Sequence, residues 1–385
     1  MALLITPADR ASFLRCRRQW DFGARARRNL EPAGPPSGPD LMAALREALA
    51  IYYFPGMWDW RCSVTLPLVI QGFERAMDRQ RAAVGRAGED QAWRKQRTTG
   101  LGLLHRYFGW APGVDSFSPV LVEAGYEVTV PRPDRPDEGL VTPSGEVVRY
   151  RGRVDMLAVD AHDAYWIVRH RLVAGEWPPV ADLLAGAGTR TACWAWEQFY
   201  LGMAIEGVIC NEIRLPDAGT EPGSAPAVPG PRWLAGLRRR APRAARVRQH
   251  EPSGGGRSIP QHRRMYATAR RPDTVATIEQ HTTAEFRRTW LRRGRDEVAA
   301  EGRWLARDAA EMVAGPPAYP NPSLLNCPPC AFLDPCLAMF AGEDPGPILA
   351  AAYRDRPPDR PLEGRLGGGA WGMGRGAAPF RFGGR

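Results

Sequence analysis

Apolar positions recur at helical spacing through the first hundred residues of the chain, then switch to a period of two. Residues 6–28 predict a helix: Thr6 or Asp9 can cap it, Phe13, Cys16, Arg17 and Trp20 fall at helical spacing, and Leu14, Trp20 and Phe22 supply an apolar face. Residues 40–53 predict a second helix with Asp40 as its cap, and residues 64–84 and 88–107 two more. Leu103, Leu104, Tyr107 and Phe108 read as core, whereas His105 reads as a surface or capping histidine. The strands begin at residues 119–131, where Glu123 and Glu127 interrupt the apolar run. Residues 147–172 carry a β-hairpin signature: two β-branched runs flank the polar turn Ala161-His162-Asp163, and Asp155 lies in the first run. A short helix near Asp182, a helix over 190–206 and a strand over 208–215 follow. In the second of these helices Trp194, Trp196 and Tyr200 read either as core or as a stacking platform. Residues 282–313 predict one long amphipathic helix carrying Phe286, Trp290, Val298, Trp304, Leu305 and Met312.

Composition adds an anionic partner to this picture. The net charge is +10 with a pI near 9.6, which favours nucleic acid over a membrane surface. Nearly all the positive charge is arginine, and Lys95 is the one lysine in the chain. Arginine concentrates in residues 238–271, eleven against the single acid Glu251, including Arg238, Arg239, Arg240, Arg243, Arg246 and Arg248. That segment reads either as a phosphate-binding insert or as a solvated loop. Residues 216–231, rich in proline and glycine, and the Gly/Arg-rich end from 346 are expected to be disordered. Residues 264–270 read as a strand. No apolar run reaches the roughly 18 residues of a membrane span, and no signal-peptide core opens the chain, so a cytoplasmic protein is expected.

Seven cysteines in such a chain read as ligands or buried thiols rather than disulfides. Cys327, Cys330 and Cys336 form C-x2-C-x5-C, stiffened by Pro328, Pro329 and Pro335. Two thiolates three residues apart can reach one metal centre, and Cys16 can serve as a fourth ligand or simply as a small buried hydrophobe. Zinc and a 4Fe–4S cluster are not separated by spacing. Cys62, Cys193 and Cys210 read as buried thiols.

Three features together carry a family resemblance. They are the opening S-F-L-R-C-R-R-Q-W-D-F, the strand Glu123 followed by the Gly-Arg-Val-Asp hairpin ending at Asp155, and the terminal cysteine pattern. The chain resembles the PD-(D/E)xK nuclease superfamily, in its RecB-type iron–sulfur branch of AddB-like subunits and CRISPR-adaptation exonucleases. The resemblance covers most of residues 6–340, with the basic insert extra. It implies an α/β fold, a restriction-endonuclease-like core with a central mixed sheet of four or five strands flanked by helices. A helical N-terminal region would meet a C-terminal cysteine loop at a 4Fe–4S cluster, with zinc as the alternative. The expected organisation is a helical region over 1–110, the core over 111–215, an insert over 216–262, a C-terminal strand, helix and cysteine cluster over 263–345, and a tail over 346–385.

The resemblance makes Asp155 and Glu123 metal ligands, for Mg2+ or Mn2+ in an active member. It also shows what is missing. The acid-x-Lys pair of the second hairpin strand is Arg169 and Arg171, and Arg46 stands where the family carries a histidine. Arginine in place of the acid sets a positive charge where the divalent ion belongs. At an effective dielectric of about 20, unit charges about 4 Å apart repel by about 4 kcal/mol, and a divalent ion roughly doubles that. The expectation is a nuclease-fold protein that has lost cleavage and either binds DNA or RNA through arginines or serves as a structural subunit beside an active helicase or nuclease partner. Arg153, Arg169 and Arg171 would then clamp phosphate, and Gln198 and Tyr200 would touch the nucleic-acid backbone. The alternatives are an active exonuclease or endonuclease with relocated acids (Asp160, Asp163 or Glu176) and a protein-interaction scaffold.

Overall fold

In the computed structural model, residues 2–34, 38–84, 90–216 and 278–357 are described. The fold is α/β, with a seven-stranded mixed sheet between two layers of helices. The chain opens with strand β1 (Leu3–Ile5), then α1 (Pro7–Arg15) and α2 (Arg17–Gly23). Thr6 caps α1 in a reciprocal box with Asp9, whose carboxylate accepts the Thr6 backbone N–H at 2.9 Å. The single helix expected over 6–28 is broken at Cys16, whose backbone is extended, so the cysteine sits in a corner between two helices. A short strand β2 (Leu30–Pro32) follows. α3 (Leu41–Tyr52) begins as expected, with Asp40 Oδ1 accepting the Ala43 N–H at 2.9 Å. α4 (Cys62–Val84) and α5 (Asp90–Val114) complete the first helical layer.

The sheet is built from β3 (Phe117–Thr129), β4 (Val148–Asp160), β5 (Tyr165–Val173), β6 (Ile205–Arg214), β7 (Ile278–Thr282) and β8 (Phe286–Arg292), with β1 at one edge of β4. β3, β4 and β5 run antiparallel in succession, and β6 lies parallel to β5. That parallel step needs a crossover, made by α6 (Val180–Ala185) and α7 (Ala187–Phe199). The β4–β5 turn forms where the hairpin signature puts it. Asp160 Oδ1 accepts the N–H groups of His162 (2.7 Å) and Ala164 (3.0 Å), and its Oδ2 accepts Trp166 Nε1 at 3.0 Å. The helix expected over 190–206 ends at Phe199, and its last residues already belong to the turn and start of β6.

The long helix expected over 282–313 is corrected. Residues 278–292 form the antiparallel hairpin β7–β8, and only α8 (Arg295–Ala314) is helical. β8 pairs with β6 from Ile213↔Phe286 to Gly207↔Arg292, so this hairpin extends the core sheet. Residues 1–110 and 263–345 therefore do not stand apart from the core, since β1, β7 and β8 all join its sheet and raise it above the expected four or five strands. After α8, α9 (Leu333–Phe340) and α10 (Gly346–Ala352) lead to β9 (Tyr353–Asp355), which pairs antiparallel with β2, so the disordered end expected from residue 346 is corrected: residues 346–355 form a helix and a strand.

Each sheet face carries its own core. α3, α4 and α5 pack on Met156, Ala158, Trp166, Val168, Ile209 and Trp290. α1, α7 and α8 pack on Val154, Leu157, Ile167, Val208 and Leu291. Trp194 and Trp196 belong to this second core, which settles their reading as packing residues, and His105 is exposed as expected. No helix among the described residues is long and apolar enough to cross a membrane.

Candidate functional site

β4 and β5 stay paired only from Val159↔Tyr165 to Met156↔Val168. β5 then continues against β6 alone, and β1 takes the free edge of β4 at Val148–Tyr150. Asp155 sits where the two strands part. Its Oδ2 accepts the backbone N–H of His170 at 2.7 Å, so the carboxylate satisfies a donor that the diverging strand no longer pairs. Glu123 falls opposite on β3, between the pairs Val122↔Met156 and Ala124↔Val154. Glu123 has φ 51°, a left-handed conformation that is uncommon outside glycine and asparagine. Alternation normally keeps residues i and i+2 on one face. Here it breaks in both strands, for Val122 and Met156 pack in the first core while Ala124 and Val154 pack in the second. The two expected acids thus share one distorted point of the sheet.

Arginines close on both acids. Arg153 Nη1 lies 2.7 Å from Glu123 Oε2. Arg46 reaches across from α3, with Nε 3.5 Å from Asp155 Oδ1 and Nη2 donating to the His170 carbonyl at 3.5 Å. Arg169 Nε stands 3.6 Å from Asp155 Oδ2. Asp155 is buried to 7% exposure, and a guanidinium stands against each of its two oxygens, Arg46 at Oδ1 and Arg169 at Oδ2. The residues present do not fit Mg2+ or Mn2+. Both Asp155 contacts are longer than good hydrogen bonds, and Arg46 Nε is buried with no hydrogen-bond acceptor.

Arg171 is not part of this group. It faces β6, with Nη1 3.8 Å from Oε1 of the fully buried Glu212. Gln198 and Tyr200 are exposed at the end of α7, and Tyr200 packs its ring on Trp196. The chain there turns into β6, whose first residue pairs with Tyr165, at the end of β5 away from Arg169 and Arg171. Of the proposed alternative acids, Asp160 is engaged by the hairpin turn. Arginines 238, 239, 240, 243, 246 and 248 and the strand expected over 264–270 lie outside the described residues.

Below Asp155 runs a buried polar chain that the sequence reading did not identify. Arg288 donates from Nη2 to Tyr107 Oη (2.8 Å), Tyr53 Oη (3.1 Å) and Asn211 Oδ1 (3.1 Å), and pairs with Asp115. With Asn211 Oδ1 used in this way, its Nδ2 donates to His170 Nδ1 at 2.9 Å. His170 is therefore neutral with its proton on Nε2, and its ring stacks on Tyr53. Burial pushes the His170 pKa down to about 4, the neighbouring Asp155 carboxylate opposes that shift, and Arg288, Arg46 and Arg169 add to it. The unfolded chain then binds a proton near pH 6.5 that the folded chain refuses until about pH 4. Stability is expected to fall as the pH drops through this window, by on the order of 3 kcal/mol from this one group. Urea midpoints at pH 7 and pH 4.5 should diverge less in His170→Gln than in wild type; equal divergence would show that His170 is not the titrating group.

Cys16, Cys327, Cys330 and Cys336 line one pocket together with Phe22, Phe332 and Phe340. Two donors reach the sulfurs, Asn321 N to Cys16 Sγ at 3.4 Å and Arg18 Nη1 to Cys336 Sγ at 3.5 Å. Burial raises the Cys330 pKa, with the other three thiols adding to the shift. Among the described residues, no group of three or more His, Cys, Asp or Glu is set to hold a metal ion. Four thiols and two hydrogen-bond donors thus border one hollow. Around the pocket, Phe22, Phe332 and Tyr353 stack in sequence and β2 pairs with β9, so the two ends of the described chain are held together here. Cys62, Cys193 and Cys210 are buried.

No family model matches the chain, and no curated protein matches it. Among solved structures, one titled "Crystal structure of SSO0001" aligns over 45% of this chain and 70% of its own, at 14% identity and a TM-score of 0.20. A likeness at that score carries no argument.

Proposed function

We propose that this chain is a nucleic-acid-binding protein on the PD-(D/E)xK nuclease plan, in which the metal-dependent cleavage site has become an anion-holding site. The strand order supports the plan: three antiparallel strands, a crossover helix and a fourth strand parallel to the third, with Asp155 and Glu123 opposite each other. The observation that carries the loss of cleavage is the pairing of Asp155 with Arg46 and Arg169 from two elements at once. The long contacts leave guanidinium donors available to phosphate oxygens, which accept forked arginine donors well. The pocket of four cysteines supports a 4Fe–4S cluster, with zinc as the alternative. Bound there, the group would staple the N-terminal helices to the C-terminal loop and so stabilise the fold. A cytoplasmic location and a partner subunit that supplies catalysis belong to the same reading.

The test is fluorescence anisotropy with labelled single- and double-stranded DNA and RNA, on protein purified anaerobically and assayed for iron, sulfide and zinc. Wild type is expected to bind with a steep salt dependence. Arg46→Ala and Arg169→Ala should each weaken binding and flatten the salt slope by about 0.7–0.9, one phosphate contact apiece. Unchanged binding in both variants, or no binding by wild type, would overturn the reading.

A further inference from the structure

The face of the sheet that carries Arg169 continues into a second cationic group that the acid site does not use. Arg171 is one strand repeat beyond Arg169 on the same face of β5, and pairs in register with Glu212 on β6. Arg214 lies two residues beyond Glu212 on that face, and Arg287 of β8 pairs in register with Glu212. Arg287 Nε donates to Glu212 Oε2 at 2.6 Å, and its Nη1 to the Pro178 carbonyl at 2.8 Å. The Arg287 and Arg214 guanidiniums both lie against the Trp177 ring, at 5.0 and 5.4 Å from its centre. Such contacts hold a guanidinium in place without using its N–H donors.

The charge here is unbalanced. Arg171 and Arg287 share one carboxylate, Glu212, and Arg214 lies two residues beyond it on the same strand face. Arg287 Nη2 is buried with no acceptor, and Arg171 meets Glu212 only at 3.8 Å. Arg171 is half exposed, so its outward donors face solvent. Glu176, next to Trp177 in the connecting loop, is exposed. The geometry points to a second phosphate station made by Arg171 and Arg214, with Trp177 as the positioning residue that holds Arg214. It rests on the anion-holding reading of the Asp155 site and extends it. Residues i and i+2 of a strand are roughly 6.6–6.8 Å apart, close to the separation of neighbouring phosphates in an extended polynucleotide. The ligand is therefore an anion with at least two phosphoryl groups in line. One sits at Arg46 and Arg169, the next at Arg171 and Arg214. Single-stranded nucleic acid and a free oligophosphate share that chemistry.

The experiment measures the salt dependence of labelled oligothymidylate binding by the full chain. Arg171→Ala and Arg214→Ala should each lower the slope of log K against log salt by about 0.7, one single-strand phosphate contact apiece. Arg214→Lys keeps the charge and should keep the slope, which separates a lost contact from a damaged fold. Trp177→Ala should weaken binding several-fold with the slope unchanged, since it removes no charge. Competition by tripolyphosphate identifies the source. Displacement at equal phosphate concentration assigns the station to a free oligophosphate, and failure to displace assigns it to a polynucleotide. If Arg46→Ala and Arg169→Ala flatten the slope while Arg171→Ala and Arg214→Ala leave it as in wild type, the second station is wrong and the first stands. If no variant alters the slope, or wild type binds neither probe, both are wrong.

Discussion

Asp115→Leu is expected to cost about 3–5 kcal/mol of folding stability, far more than the loss of a surface ion pair. Asp115 and Arg288 pair with side-chain exposures of 4% and 1%. Removing the acid leaves a guanidinium charge in the core, with only Tyr53, Tyr107 and Asn211 as neutral acceptors. Arginine cannot escape by losing its proton, because its pKa stays above about 12 and the structure raises it further. The double replacement Asp115→Leu with Arg288→Met should recover much of the loss, since an apolar pair of similar size has no charge to desolvate. Urea unfolding of the three proteins checks this, and a single-variant loss below about 1 kcal/mol would contradict it. The double variant also loses the donor that orients Asn211, so the neutral His170 tautomer beneath Asp155 is no longer held.

The elements legible in the sequence are those whose local chemistry agrees with their tertiary role. Thr6, Asp40 and Asp160 each make a short side-chain-to-backbone bond that starts an element or a turn. The β7–β8 hairpin was not legible, for a specific reason. Phe286 and Trp290 are four apart, which fits one face of a helix as well as one face of a strand. The arginines between them give no polar side to read, because Arg287 and Arg288 are themselves buried, one on Glu212 and the other on Asp115. β1 is three residues long, too short for any period to show.

Arg169→Glu is expected to create Mn2+ affinity at Asp155 that wild type lacks, read by titration calorimetry. Arg169 Nε sits 3.6 Å from Asp155, and replacing it with a carboxylate both removes a repelling charge and adds a ligand. For charges about 4 Å apart at an effective dielectric of about 20, removing repulsion from a divalent ion is worth about 8 kcal/mol before solvent screening, and the added acid acts in the same direction. Arg46, 3.5 Å from the other Asp155 oxygen, still opposes the ion, so Arg46→His should strengthen the gained affinity. Asp155→Ala in the same background should abolish it.

Half of the candidate site could be read from residue types. Asp155 meets Arg46 and Arg169, and Glu123 meets Arg153, all residues that the resemblance singled out. Arg171 did not join them, because β5 leaves β4 at this point and turns its next arginine toward β6. Asn211 and Glu212 lie inside an apolar strand, and the two adjacent polar residues in I-C-N-E-I are the one visible signal of buried partners. Asp115, Tyr53, Tyr107 and Arg288 come from α3, α5 and β8 or their flanks and gain a shared role only in three dimensions.

Under the proposed function, the Asp155 site holds an anion in place of a divalent metal. The most direct test of this claim is incubation of anaerobically purified wild type with labelled single- and double-stranded DNA in Mg2+ and in Mn2+, beside Asp155→Ala. Wild type is expected to retain the DNA and leave it uncut, indistinguishable in cleavage from Asp155→Ala. Cutting by wild type that disappears in Asp155→Ala would contradict the claim.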